Sequence, residues 1–326
     1  MNHFDTCRMT PNLFIIGMPR SGTKLFRALL NNHPRIFIPH IETAFIPTLI
    51  KGYGCNELTK VDAKKIVDEI KNSLFFVHYL ENNDFDFSVL KHKKNMPEVL
   101  NAFYSQLFSG AKDDLSYIGD KSPNNIEDVA LLMDFFPKAK FIHIVRDPRD
   151  YALSVKNAWN KSIIRSVIRW VDGVGRVAEV ANKHPERIIE VRYEDLIESP
   201  GEVLKKCVGF LELNYFEEMI GLDKVVENYG DARGKEISSN NKNKYKSKMK
   251  ARLLSRIDDC AVELLERYNY SCGSKRRLNK VPPRLLVSVL SIYDAVNMLI
   301  FSIKKWGFFK VHRGFPGKAA LILRKK

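Results

Sequence analysis

Four short apolar runs punctuate the 326 residues: 13–16, 117–119, 141–145 and 188–191. Each is nearly continuous in apolar side chains, the pattern of a strand buried on both faces. Between them the apolar positions recur at helical spacing. Leu25, Phe26, Leu29 and Leu30 follow the first run, 129–136 precedes the third, and 163–181 precedes the fourth. The alternation predicts an α/β fold: three layers, with helices on both faces of a central, mostly parallel sheet. Ligands of such sheets sit beyond the carboxyl ends of the strands. Residues 48–112 read as a helical insertion, built from 61–70, 73–80 and 97–108, that forms a pocket wall. Residues 213–250 are polar and end in "SSNNKNKYKSKMK", the composition of a lid-like loop, and 252–268 return to an amphipathic helical pattern.

The first run leads into "GMPRSGTKLF", residues 17–26. Gly17 and Gly22 have the spacing of a Walker A loop, but Thr23 stands where that loop has lysine, and Lys24 where it has the magnesium-binding hydroxyl. A strand, a glycine turn and a helix start form an anion site through converging N–H groups and the helix dipole. Arg20 adds a fixed cation; Ser21 and Thr23 add hydroxyl donors. The third run is followed by Arg146 rather than an acid. Both metal-holding positions are therefore cationic, and the loop is expected to neutralise phosphate without a metal. In "VRDPRDYALS", Asp147 suits an N-cap and Pro148 the first helical position, which places Arg146 at a strand end and Ser154 on the helix beyond. Two Arg-plus-Ser anion sites side by side suit a nucleotide with phosphates at two separate places.

Together these segments resemble the sulfotransferases that use 3′-phosphoadenosine 5′-phosphosulfate (PAPS). "IIGMPRSGTKLFRALLNNHP" resembles their 5′-phosphosulfate loop, and "FIHIVRDPRDYALSV" their 3′-phosphate motif. "VRYEDLIESPGEVLKKCVGFL" is similar to their later Y-E-D-L segment, and "KYKSKM" and "RYNY" to their C-terminal portion, so the resemblance spans roughly residues 10–272. It implies the P-loop-like fold, PAPS as donor and its product PAP, no metal, and a donor site of Pro19, Arg20, Ser21, Gly22, Thr23, Lys24, Leu25, Arg146 and Ser154. Lys24 departs from the commoner threonine and is expected to add a phosphate or sulfonate contact. Tyr193 fits either a place beside the adenine or the core. Glu42, in "HPRIFIPHIETAFIP", resembles the catalytic glutamate of carbohydrate and tyrosylprotein sulfotransferases. Walls of Ile41, Phe45 and Ile46 would desolvate a carboxylate there and suit it to general base work. His40 is the competing base. Lys121, in "GDKSP", is similar to a family lysine near the transferred group, and Arg20 is the expected cation on the leaving phosphate.

Charge alters this picture only at the C-terminal end. The net charge is +15, yet residues 275–326 hold thirteen Lys/Arg and one acid, so the domain before them is nearly neutral and bulk charge gives no case for nucleic-acid binding. The chain divides into a catalytic domain, 1–274, and a basic apolar tail, 275–326. Within the tail, 285–303 are apolar except for Ser288, Ser291, Asp294 and Asn297, a narrow polar stripe at every third position. Basic flanks and Trp306, Phe308 and Phe309 make an interfacial helix the first expectation, with 280–326 against an anionic membrane, ahead of a docked or a spanning helix. Five scattered cysteines and no visible N-terminal signal lead to the expectation of a cytoplasmic protein at the inner face of the membrane. The acceptor is then expected to be a hydroxyl on a carbohydrate, glycolipid or lipid-linked sugar. A peptide tyrosine is the alternative within the family, and an ATP- and magnesium-dependent kinase the alternative outside it.

Overall fold

The computed structural model describes residues 9–73, 76, 79–81, 83–108, 114–222, 237–273 and 284–306. In chain order the main elements are β1 (Leu13–Gly17), α1 (Thr23–Asn31), β2 (Ile36–Phe37), α2 (Ile46–Tyr53), α3 (Lys60–Lys71), α4 (Met96–Leu107), β3 (Tyr117–Lys121), α5 (Val129–Phe135) and β4 (Lys140–Val145). They continue with α6 (Pro148–Trp159), α7 (Ile163–Lys183), β5 (Ile188–Arg192), α8 (Tyr193–Glu198), α9 (Pro200–Phe210), α10 (Tyr245–Lys248), α11 (Ala251–Arg267) and α12 (Arg284–Trp306). Five parallel strands run in the order β2-β3-β1-β4-β5. The four runs in the sequence became four of these strands. The fifth, β2, has two residues and no periodicity to announce it; it exists because Ile36 and Phe37 pair with Tyr117 and Ile118.

Alternation along the strands splits the core in two. Phe14 and Ile16 of β1, with Phe141 and Val145 of β4, join one apolar cluster; Leu13, Ile15, Ile142 and Ile144 join the other. The first cluster lies under α2–α7 and α11, and Phe14 stacks on Phe141 at 5.0 Å between centroids. The second lies under α1, α8 and α9. The insertion packs Leu49, Ile66, Ile70, Leu100 and Phe103 into the first cluster, and so is part of the core. The helix expected over 73–80 and the loop expected over 213–250 each lie in part outside the described residues.

β1 and β4 pair at the centre, with Gly17 opposite Ile144. The two loops beyond their carboxyl ends are therefore neighbours. α6 begins as its sequence requires: Asp147 accepts the Arg149 N–H at 2.9 Å and Pro148 occupies the first turn. Arg149 then locks that turn to the C-terminal segment. Its guanidinium forks onto Asp147 at 2.7–2.8 Å and donates to the Ser271 carbonyl at 2.7 Å.

Candidate active site

Gly22 caps α1 at φ +91, with no side-chain cap. The first-turn N–H groups of a helix have no partner within it, so they face whatever the loop holds. Only a residue without Cβ fits here, because a Cβ on Gly22 would stand 2.3 Å from the Tyr193 ring. Arg20 also takes a positive φ, 77, uncommon for a side-chain-bearing residue and the kind of local strain found at functional turns. Ser21 is buried and its hydroxyl has no hydrogen-bond partner among the described residues.

The two anion sites meet here. Arg20 Nε donates to Ser154 Oγ at 3.3 Å, and Arg146 donates to the Arg20 carbonyl at 2.9 Å. Trp170 Nε1 fixes the Arg146 backbone by donating to its carbonyl at 2.9 Å. The Arg146 guanidinium stacks over Tyr193 at 4.6 Å, and its Nε is buried without a partner among the described residues. Tyr193 thus belongs both to the second core cluster and to the site. The sequence reading missed Asn241. Its carbonyl accepts from Arg146 at 3.0 Å while its amide donates to the Tyr193 hydroxyl at 2.7 Å. It sits in an Asn- and Lys-rich stretch where no single residue stands out. Orphaned buried donors, Ser21 Oγ and Arg146 Nε, at a junction of two arginines fit a ligand with separate phosphates.

A second group forms at the end of β3. Lys121, fully buried, hydrogen-bonds Glu42, whose side chain is 17% exposed. Glu42 therefore meets an ammonium rather than the expected apolar wall; Ile41, Phe45 and Ile46 are instead buried in the core. Burial lowers the Lys121 pKa; Glu42 opposes that, and the cations Arg27 and Lys24 add to it. Lys24, half-buried on the first turn of α1, thus links the loop electrostatically to this pair. His40 is exposed, and its carbonyl accepts from Arg27 at 2.9 Å.

What holds the pair is a buried carboxylate that sequence reasoning missed. Asp120 accepts from Thr43, from Tyr104 at 3.1 Å, from Ser122 at 3.3 Å and from Asn125 at 2.9 Å. Burial raises its pKa, and these donors oppose the rise. Because Asp120 precedes Lys121 and Thr43 follows Glu42, their bond fixes the spacing of the two reactive side chains. The "GDKSP" and "IETAF" segments displayed both partners, but nothing in them announces the contact. A separate cavity of about 730 Å³ opens beside α2 and α3. Its lining carries Glu57, Asp62, Asp68 and Glu69 against Lys65, the wrong sign for a phosphate ligand.

Comparison with known proteins bears on the family and the fold. Residues 11–218 match the sequence model described as "Sulfotransferase family". Protein-tyrosine sulfotransferase 1 of Danio rerio is 24% identical over 240 residues, covering 70% of this chain and 59% of that protein. The Homo sapiens protein of the same name is 30% identical over 144 residues, covering 43% of this chain and 32% of that protein. The chain thus spans less than two thirds of the length of either relative. The solved sulfotransferase domain from the curacin biosynthetic pathway superposes with a TM-score of 0.55 at 18% identity, covering 82% of this chain and all of that one. At that identity the likeness speaks to the fold.

Proposed function

Because the chain belongs to the sulfotransferase family, a class of PAPS-dependent enzymes, we propose that it transfers the sulfonate to an acceptor hydroxyl with Glu42 as general base. The observation that carries the proposal is two built groups on the adjacent strand ends of β1, β3 and β4, linked through the charge of Lys24. One is the Arg20–Ser154–Arg146–Tyr193 cluster with its orphaned donors; the other is the Glu42–Lys121 pair. PAPS supplies an activated sulfonate and a phosphate leaving group.

The chain supplies the rest. Residues 19–25, with the N–H groups of α1, hold the 5′ phosphate end, and Arg146 and Ser154 hold the 3′ phosphate. Tyr193, stacked under Arg146, keeps that guanidinium oriented. Arg20 and Lys24 bring positive charge to the leaving group. Glu42 takes the acceptor proton, exchanging its bond with Lys121 for one with the hydroxyl, and Lys121 turns its charge toward the transferred group. As in phosphoryl transfer, most of the rate enhancement then comes from positioning and electrostatics.

We place the enzyme in the cytoplasm against the inner membrane face. Its acceptor there is the hydroxyl of a glycolipid, a lipid-linked sugar or a related carbohydrate. A peptide tyrosine is the second reading, favoured by the names of the animal relatives. The catalytic domain is 1–274, with 48–112 as an insertion, 213–250 as a lid-like loop and 275–326 as a basic tail. Calorimetric titration with PAP and with 5′-ADP, each with Mg²⁺ and with EDTA, tests the donor site. PAP is expected to bind more tightly, with EDTA making no difference; equal binding of both, or binding only with Mg²⁺, overturns it. Sulfonate transfer from labelled PAPS to glycolipid extracts and to acidic tyrosine peptides, run in parallel, decides between the acceptors.

A further inference from the structure

α12 is mounted on the domain through Asp294 and Asn297, while Ser288 of the same stripe stays exposed. Asp294 is buried, and its carboxylate accepts the Ser162 N–H at 2.7 Å and the Arg165 guanidinium at 2.9 Å. Asn297 accepts from the Asn160 amide at 2.9 Å. These partners form the corner between α6 and α7. The apolar side faces outward: Val289 is 56% exposed, Ile292 67%, Val296 51%, Leu299 37% and Ile300 45%. At 3.6 residues per turn these five lie on one arc of about a third of the helix circumference. An amphipathic helix of a soluble domain would cover such an apolar arc. A contiguous exposed apolar face of this kind marks a surface that something else covers.

We propose that this face of α12 docks on an anionic lipid bilayer, lying in its interface with Asp294 and Asn297 toward the domain. The proposal deepens the membrane placement given above and rests on it. Charge complementarity selects the occupant. Residues 275–326 hold thirteen Lys/Arg and one acid, and that acid, Asp294, is already tied to Arg165. The tail therefore offers only positive charge to its surroundings, which anionic headgroups attract. A second copy of the chain would bring two such tails together, like charge against like. A spanning helix would have to take Asp294 and Asn297 off their partners on the domain and into lipid. The 18-residue stretch Val287–Lys304 has a mean hydropathy of 1.4 and is 6% buried, so the apolar surface is available where the helix stands. α6, one of the two helices holding α12, also carries Ser154 of the donor cluster. Docking would set the donor site at a fixed place relative to the lipid surface, where a headgroup-borne hydroxyl is presented.

The test is co-sedimentation of the full chain with phosphatidylcholine vesicles, with and without phosphatidylglycerol, beside the double variant Ile292→Glu/Val296→Glu. Both substitutions are at exposed positions, and PAP titration of the same samples reports whether the domain is folded. Wild type is expected to bind the anionic vesicles, and the variant at least tenfold less, with PAP affinity unchanged. Equal binding of both proteins would overturn the docking face while leaving the membrane placement to the basic residues alone. No binding by wild type would remove the membrane placement as well. Sedimentation velocity without lipid closes the remaining route: a dimer that the double variant dissociates would make the occupant a second copy and overturn the proposal.

Discussion

Replacing Glu42 with Gln keeps shape and hydrogen-bonding capacity but removes the charge and the basicity. General base catalysis contributes roughly 10²–10⁴ in rate, equivalent to about 3–5 kcal/mol in the barrier at about 1.4 kcal/mol per tenfold. The expected result is therefore a fall in kcat of at least about a hundredfold. PAP affinity should stay within about threefold, because the bond Glu42 makes is to Lys121 rather than to the Arg146–Tyr193 stack, and a threefold change is only ~0.6 kcal/mol. His40→Ala is the control: His40 is exposed, and the substitution keeps the carbonyl that accepts from Arg27. Single-turnover transfer from labelled PAPS, with PAP calorimetry on the same protein, measures both quantities. Glu42→Gln turnover within tenfold of wild type, or a loss that tracks PAP affinity, would refute the assignment.

The same variant has a second consequence, independent of catalysis. It leaves Lys121 fully buried beside Arg27 and Lys24 with no counter-charge from Glu42. In the wild type burial already lowers the Lys121 pKa, and Glu42 is the partner that raises it again. Without Glu42 the pKa falls further. In the window between that folded value and 10.5, the unfolded chain binds more protons than the folded one, so stability rises with pH. Breaking a buried pair costs about 3–5 kcal/mol, and the partial exposure of Glu42 puts this one at the lower end. Thermal melts should show Glu42→Gln well below wild type near neutral pH, with the gap narrowing as pH rises. A gap that is constant with pH would mean that Lys121 is not held by Glu42 in solution.

Three further outcomes follow from the geometry. Arg146→Ala should weaken PAP binding by about 10–100-fold, since charged hydrogen bonds are worth about 1.5–3 kcal/mol; Arg146→Lys should not restore it, because a lysine cannot both fork and stack on Tyr193. Gly22→Ala would force a side chain at φ +91 into a Tyr193 ring pinned by Arg146 and Asn241, so calorimetry and melting together should show weaker PAP binding and a loss of roughly 1–3 kcal/mol. Glu190 feels an upward push from burial, but His143, Tyr268 and Arg267 outweigh it and hold the carboxyl at about 2. Its contribution is complete above pH 4.5 and is lost as pH falls toward 2, so Glu190→Gln should lower stability by about 2–3 kcal/mol at pH 7 and by progressively less in acid melts below pH 4.5.

Much of this was legible from one sequence because buried parallel strands and phosphate loops are local patterns. Residues 13–16 read as a strand because all four side chains are apolar, and both faces are indeed covered. The anion sites of Arg20 and of Arg146 with Ser154 could be set side by side from the sequence because each belongs to a recognisable strand-to-helix segment. What stayed hidden depends on long-range contacts. β2 is two residues long and owes its existence to β3. Asp120 looks like any loop acid until Thr43, Tyr104, Ser122 and Asn125 close around it. The apolar neighbours of Glu42 suggested a desolvated carboxylate, yet the side chain that reaches it comes from a strand 79 positions away.

The tail marks a limit of a different kind. Periodicity tells which residues share a face, and the stripe of Ser288, Ser291, Asp294 and Asn297 was plain in the sequence. It does not tell which face is wet. A polar stripe on an apolar helix defaults to solvent, because a buried acid costs several kcal/mol unless it is paired. Here the corner of α6 and α7 supplies the pairing: the Ser162 N–H and the Arg165 guanidinium satisfy Asp294, and Asn160 satisfies Asn297. Once those donors exist Asp294 and Asn297 can turn inward while Ser288 stays exposed, and the arc of Val289, Ile292, Val296, Leu299 and Ile300 is left outward as a geometric consequence. One polar residue at each of two places therefore decides which surface the enzyme shows, and neither decision can be read without knowing that residues 160–165 lie opposite them.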